Sequence, residues 1–356
     1  MDYKENRRNG RSLGRRGLAL LALSGLLLLS GCSSDGKNGE NTATPAPAVT
    51  ESQPVSTETV EPTAPTAEDL GLTPEEMDTV KYNIYVEMNN EIVEVLENIY
   101  GYYEVVEYAD EFAFVPDTSY SYKYDISPFD SSLVDDALLV AGMEPAFETL
   151  DELTTQIAEP MRALMDTFDE IYSCYDFADN QYAKAKEFHA VIQANVDAFE
   201  ALAYTYMDAV DVVAVERTAA EEQKMLEEGR IIIYNASHAI TVTRQLLNEC
   251  YNQGVYDDNI QELDLTSIYP LHEELVATVD AYKAAVEDKN QLMAESLSSS
   301  PMYSLDSLVQ AVDWMVQQVE SGSPIPDPGR DYLGSIVHIE VVLSDCIDDY
   351  NYAFTE

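Results

Sequence analysis

The chain is short of several things at once, and each shortage closes a class of function. Lys and Arg number 19 against 66 Asp and Glu, a formal charge of −47. So anionic a surface repels nucleic acid and anionic headgroups, and neither is expected as a partner. Cysteine is down to Cys32, Cys174, Cys250 and Cys346, spaced too widely for a zinc site or a disulfide framework. Beyond Cys32 at most one disulfide can form, and buried thiols are the simpler state. Four histidines make no Glu-x-x-His or His-Glu-x-x-His spacing: Glu187 is two positions from His189, and Glu340 is two from His338. A three-residue offset is what puts two ligands on one helix face, so no metal or other cofactor is expected. There is no Gly-x-Ser-x-Gly elbow, no glycine-rich phosphate loop and no EF-hand spacing around Asp257-Asp258 or Asp348-Asp349. Nucleophilic, phosphoryl-transfer and calcium chemistry all lose their usual signatures, and no enzyme is expected.

What is present begins with an address. Six basic residues (Lys4, Arg7, Arg8, Arg11, Arg15, Arg16) precede an apolar run from Gly17 to Leu29 and then Leu29-Ser30-Gly31-Cys32. This reads as a bacterial lipobox, in which the cysteine thiol receives diacylglycerol and its amine becomes the mature N-terminus. The run is shorter than the roughly 20 residues a bilayer needs, so residues 1–31 are a lipoprotein signal peptide. Arg15-Arg16 lacks the usual twin-arginine flanks, which favours general secretion. The expected location is the extracytoplasmic face of the cell membrane, with the membrane itself a partner through lipid on Cys32. Removing two acidic and six basic residues takes the charge from −47 to −51. The charge is read as a solvated coat; alternatively it captures cations or basic envelope surfaces.

Residues 33–68 hold no aromatic residue and no Leu, Ile or Met, but five prolines. Such a segment buries too little apolar surface to order itself, so 32–68 is read as a lipidated, disordered tether. Order is expected from residue 69 to 356. Thr73-Pro74-Glu75-Glu76 has the form of a capping box with proline at the first helical position. Met77, Val80, Ile84, Met88, Ile92, Val95, Ile99, Tyr102 and Val106 then recur at helical steps. An aromatic loop follows, with Phe112, Phe114, Tyr120, Tyr122 and Tyr124. A second helix starts near Ser131, breaks around Gly142 and Pro145, and resumes from Phe147 to Ile171. The third runs from 181 to 226, with Tyr182, Ala185, His189, Ile192, Val196, Phe199, Ala203, Tyr206, Val210 and Val213 in unbroken three-four spacing. Further helices are expected over about 231–251, 267–297, 303–320 and 331–353, with prolines 324, 326 and 328 barring continuation between the last two. No segment alternates with period two. The fold class is therefore all-α: an elongated bundle of about six or seven helices, as one domain or two closely joined subdomains.

Lys81, Asn83 and Tyr85 form a Lys-x-Asn-x-Tyr segment that leads to Asn90. Tyr172, Tyr175 and Asp176 precede Tyr182, Ala183, Lys184, Lys186 and His189, and Tyr350-Asn351 lies near the C-terminus. Together these stretches resemble the YiiG-like family of bacterial lipoproteins, which is predicted to be helical and has no assigned function. The chain departs from it at Asn89, where the family usually has tyrosine. The resemblance covers most of residues 78–352, implies a helical lipoprotein and brings no activity with it.

His189 interrupts an apolar stripe, so it is either a hydrogen-bonded core residue or a ligand inside a bundle pocket. His238 falls on another stripe with Ile231, Tyr234, Val242 and Leu246, which would let the two histidines approach each other. The crowded tyrosines are read as packing, or else as a recognition surface. The candidate positions are thus Tyr85, Asn90, Tyr182, Lys186, His189 and His238. The leading expectation is a non-enzymatic binding or structural protein of the cell envelope. The alternative is an envelope solute- or cation-binding lipoprotein with its site between long helices near His189.

Overall fold

The computed structural model describes residues 66–113, 126–299 and 301–354. Cys32, the signal peptide, the tether up to residue 65 and the tyrosines at 120, 122 and 124 lie outside the described residues. The described chain is all-α, with no strand. Its helices are α1 (Ala67–Leu70), α2 (Pro74–Val105), α3 (Ser132–Ala141), α4 (Glu148–Ser173), α5 (Ala183–Glu227), α6 (Ile231–Asn252), α7 (Leu265–Glu287), α8 (Lys289–Ala294), α9 (Leu305–Ser321) and α10 (Ile336–Phe354).

Local chemistry sets the helix ends. At α2 the Thr73 hydroxyl accepts from the Glu76 amide at 3.2 Å while the Glu76 carboxylate accepts from the Thr73 amide at 2.8 Å. That reciprocal box satisfies two otherwise unpaired donors, and the backbone bond holds the Glu76 carboxyl below its ordinary range. The helix expected over 267–297 is broken at Asp288, whose side chain caps a new start by accepting from the Asn290 amide at 2.8 Å. The last helix begins at Ile336, later than its sequence pattern suggests. Buried Asp257 takes the Ile336 amide at 2.7 Å and the Gly329 amide at 3.2 Å, pinning that start. Gly334 just before it needs its missing side chain, because φ is +88° and a Cβ would meet the Trp314 carbonyl oxygen at 3.0 Å.

Apolar side chains gather into two cores. The first takes Met88, Ile92 and Ile99 from α2, Leu164 and Phe168 from α4, and Ile192, Phe199 and Val210 from α5. The second starts at Met225, near the end of α5, and takes Ile240 and Leu247 from α6, Leu275 from α7, Leu308 and Met315 from α9, and Leu343 from α10. Each such side chain contributes about 1.5–3 kcal/mol by leaving water. The two cores are strung on one 45-residue helix. At 1.5 Å per residue α5 is about 68 Å long. Tyrosine carries much of the packing: Tyr85, Tyr100, Tyr102, Tyr103, Tyr206 and Tyr350 are all fully buried. Cys174, Cys250 and Cys346 are buried free thiols.

Candidate functional site

Between Val210 and Met225, α5 passes from one core to the other and faces neither fully. Arg217, Glu221 and Lys224 recur there at steps of four and three, which puts them on one side of the helix. They line an open cleft of 670 Å³ together with Pro74, Glu75, Asp78 and Thr79 of the first lobe and Arg230, Ile233, Tyr350 and Phe354 of the second. A second hollow, 530 Å³, shares Asp78, Thr79, Arg217 and Glu221 and extends toward Tyr82, Asn83 and Phe147. Arg217 is the hinge post of this arrangement. Its guanidinium lies 4.4 Å from the Tyr82 ring centroid and 5.5 Å from that of Phe147, and it bonds the Asp78 carboxylate.

Directly beneath is a buried ion pair. Lys81, with no exposed surface, donates to the carbonyls of Met143 (2.6 Å) and Pro145 (3.0 Å) and pairs with Asp151 at 2.9 Å. Asp151 also accepts from the Tyr85 hydroxyl and from the Phe147 amide at 3.0 Å. Burial, then Asp151, pushes the Tyr85 hydroxyl far above its ordinary range, so it stays a donor. The Lys81 ammonium sits 5.7 Å from the Phe147 ring that Arg217 also covers. Half-buried Arg244 on α6 faces Asp211 and Tyr82 from the other side. Five of the twelve Lys and Arg residues between 69 and 356 thus meet at one junction of a strongly acidic chain.

The sequence profile of DUF3829, described as a protein of unknown function, matches residues 76–342, three quarters of the chain. The chain belongs to this family. A relative within reach of direct alignment is the uncharacterized protein YiiG of Escherichia coli (strain K12), 24% identical over 230 residues. That stretch is 59% of this chain and 60% of YiiG, so the chain spans about three fifths of its relative's length. No solved structure matches significantly.

Two of the three stretches that carry the YiiG-like resemblance converge on the cleft. Asn83 lines the adjoining hollow, Lys81 and Tyr85 underlie it, and Tyr350 lines the cleft from the C-terminal helix. Asn90 is half-buried further along α2, away from the lining. The third stretch is elsewhere, at the far end of α5. There Asn180, Gln181 and Tyr182 all have φ between 53° and 60°, an uncommon conformation for residues other than glycine. Tyr182 is half-buried with its ring 5.8 Å from Phe112, and Lys186 is exposed.

His189 is a core residue. Its Nδ1 lies 2.8 Å from the Tyr102 hydroxyl and its Nε2 3.3 Å from the Asp110 carbonyl, and Phe112 packs edge-on at 6.1 Å. Burial lowers its pKa, outweighing the backbone bonds that raise it. The rings of Tyr102 and Phe112 pack against its imidazole at 5.9 and 6.1 Å. His238 does not approach it. His238 reaches Glu222 at 2.9 Å and Glu274 at 3.2 Å, and Glu222 lies 33 residues along α5 from His189, about 50 Å at helical rise. Both histidines face inward, yet toward different cores.

Residue-by-residue pattern missed Arg217, Lys224, Arg230 and Asp151. Each is an ordinary charged residue in its own window. Steps of four and three along α5 were there to be read, but most of the partner faces came from other helices, with Asp151 70 positions from Lys81 and Asp78 139 from Arg217.

Proposed function

We propose that this is a lipid-anchored, extracytoplasmic protein of the cell envelope with a non-enzymatic binding role, and that the cleft between its two lobes is where it binds. One observation carries the reading: Arg217, Lys224 and Arg230 converge on an open cleft in a domain that holds 58 acidic and 12 basic residues between 69 and 356. The location is read from the lipobox ending at Cys32. The binding reading draws on the chemistry of the lining, in which Lys224 and Arg230 stand with Glu75 and Glu221 around one opening. The strongly perturbed carboxyl, Glu340, is sealed inside the second core. We place the site at the cleft in preference to His189, whose ring nitrogens already face the Tyr102 hydroxyl and the Asp110 carbonyl.

Two measurements test the proposal. Wild-type chain should take up labelled fatty acid and fractionate with membranes, and Cys32→Ala should do neither. A thermal-shift screen of small metabolites on the lipid-free Cys32→Ala chain should find ligands that raise Tm, with the rise abolished by Lys224→Gln plus Arg230→Gln. Equal labelling of the cysteine variant defeats the envelope reading. Ligands indifferent to the paired substitution defeat the cleft.

A further inference from the structure

We propose that the cleft takes a small zwitterion with an apolar body, of the class of short free peptides about two residues long. The inference rests on the binding role proposed above and follows from which charges in the cleft are already spent. Arg217 and Asp78 neutralise each other. Lys224 makes no ion pair among the described residues, and Arg230 has one distant partner, Glu228 at 3.7 Å, two residues along its own turn. Glu75 and Glu221 are likewise without ion pairs among the described residues. The lining therefore presents two available cations and two available carboxylates around one opening.

A second observation points to a ligand. Tyr350 is fully buried and lines the cleft, yet its hydroxyl makes no hydrogen bond among the described residues. Ser237 is the polar side chain beside it, but it lies outside hydrogen-bonding geometry for that hydroxyl and donates its own proton to Glu222 at 3.2 Å. A buried hydroxyl without a partner is costly, and a carboxylate entering beside Lys224 and Arg230 would accept its proton. Met225, Ile233 and Phe354 supply apolar wall for a side chain. The volume, 670 Å³, falls in the range of roughly 300–1,000 Å³ common to small-ligand sites.

Long-range and local electrostatics agree on the charge type. A net anion must approach a domain of charge −46, 58 acidic against 12 basic residues, and gains nothing from Glu75 and Glu221. A net cation is drawn to the surface but meets Lys224 and Arg230. A zwitterion feels no net repulsion and pairs its carboxylate with Lys224 and Arg230 and its ammonium with Glu221 and Glu75. An opening of 670 Å³ that carries both signs of charge beside an apolar wall has room for a short peptide, with charged ends and apolar side chains between them.

The test uses the lipid-free Cys32→Ala chain and three probes with one side-chain set: leucyl-leucine, its N-acetyl form and its C-terminal amide. Calorimetric titration should give saturable heat with the free dipeptide, and each blocked form should bind at least about tenfold more weakly, having lost one charge-assisted set of contacts. Tyr350→Phe, which adds no volume, should weaken the free dipeptide while leaving the unliganded Tm within a degree or two. Equal or better binding of the acetylated form shows an anion site, and of the amide a cation site. Either result overturns the zwitterion and leaves the cleft as a binding site. If none of the three binds, the zwitterion inference falls, and the metabolite screen alone decides whether the binding reading falls with it.

Discussion

An ammonium group taken wholly out of water costs several kcal/mol unless its partners replace the lost hydration, and Lys81 shows how that is met. Two carbonyls and the Asp151 carboxylate satisfy all three of its donors. Lys81→Met should therefore destabilise the first lobe by about 3 kcal/mol, chiefly through an Asp151 left under-paired. Adding Asp151→Asn to that variant should restore part of the loss; a double variant no better than the sum of its singles would show that the two residues act separately. His189→Ala should cost about 1–3 kcal/mol, because it opens a cavity and strands the Tyr102 hydroxyl. Titration adds signs that distinguish the two inward histidines. Burial lowers the His189 pKa, so its contribution is present above about pH 6.5 and lost as pH falls. Glu222 raises the His238 pKa, so its contribution is present below about pH 6.5 and lost as pH rises. Glu340 is pushed up to about 7 by burial, while its unfolded value stays near 4.5. The folded state thus holds the Glu340 proton across that window, and stability should fall as pH rises from 4.5 toward 7, levelling off above it. Glu340→Gln should flatten that limb of a pH–stability curve, and an unchanged slope would place the proton elsewhere.

At the scale of the helix, α5 is the member that both lobes share. Its span between the cores has an exposed outer face at Ala219, where packing does little to hold it straight. Ala219→Pro removes a backbone bond and should cost about 3 kcal/mol locally. Calorimetry should then resolve two unfolding steps in place of one, since each lobe keeps its own core; a single sharp step would show that the lobes are held by more than α5. Helix α5 was also the most legible part of the sequence, because a three-four stripe from Ala185 to Val210 has no competing reading and every position in it is buried. The capping box at Thr73 was equally plain. Val80 misled for a physical reason: apolarity alone put it on the inner stripe, yet it is 38% exposed while Lys81 beside it is fully buried. A lysine turns inward only when carbonyls and a carboxylate from another helix wait for it, and nothing within α2 announces Asp151. The cleft was illegible on the same ground. Its parts come from residues 74–83, 145–147, 213–233 and 350–354, and proximity among these exists only after folding.

Across the whole molecule the dominant quantity is charge, −46 over residues 69–356 from 58 acidic and 12 basic side chains. Like charges spread over two lobes repel, and the fold answers by concentrating Lys81, Arg217, Lys224, Arg230 and Arg244 where the lobes meet. The exposed remainder is left to the solvent. Tm should therefore rise between low salt and about 0.15 M, where the Debye length shortens to about 8 Å and most surface repulsion is screened. Magnesium or calcium chloride at equal ionic strength should raise it further if neighbouring carboxylates hold a divalent ion between them. Arg217→Gln sharpens the test. It removes a cation from the junction, leaves Asp78 without its partner, and increases the repulsion between lobes. The variant should lose more stability at low salt than at high, with the gap to wild type narrowing as sodium chloride is added. Parallel melting curves for the two proteins at every salt concentration would mean that Arg217 acts through its stacking on Tyr82 and Phe147, which salt leaves untouched. A narrowing gap assigns the junction its electrostatic role, that of a cationic seam holding two anionic lobes on one helix.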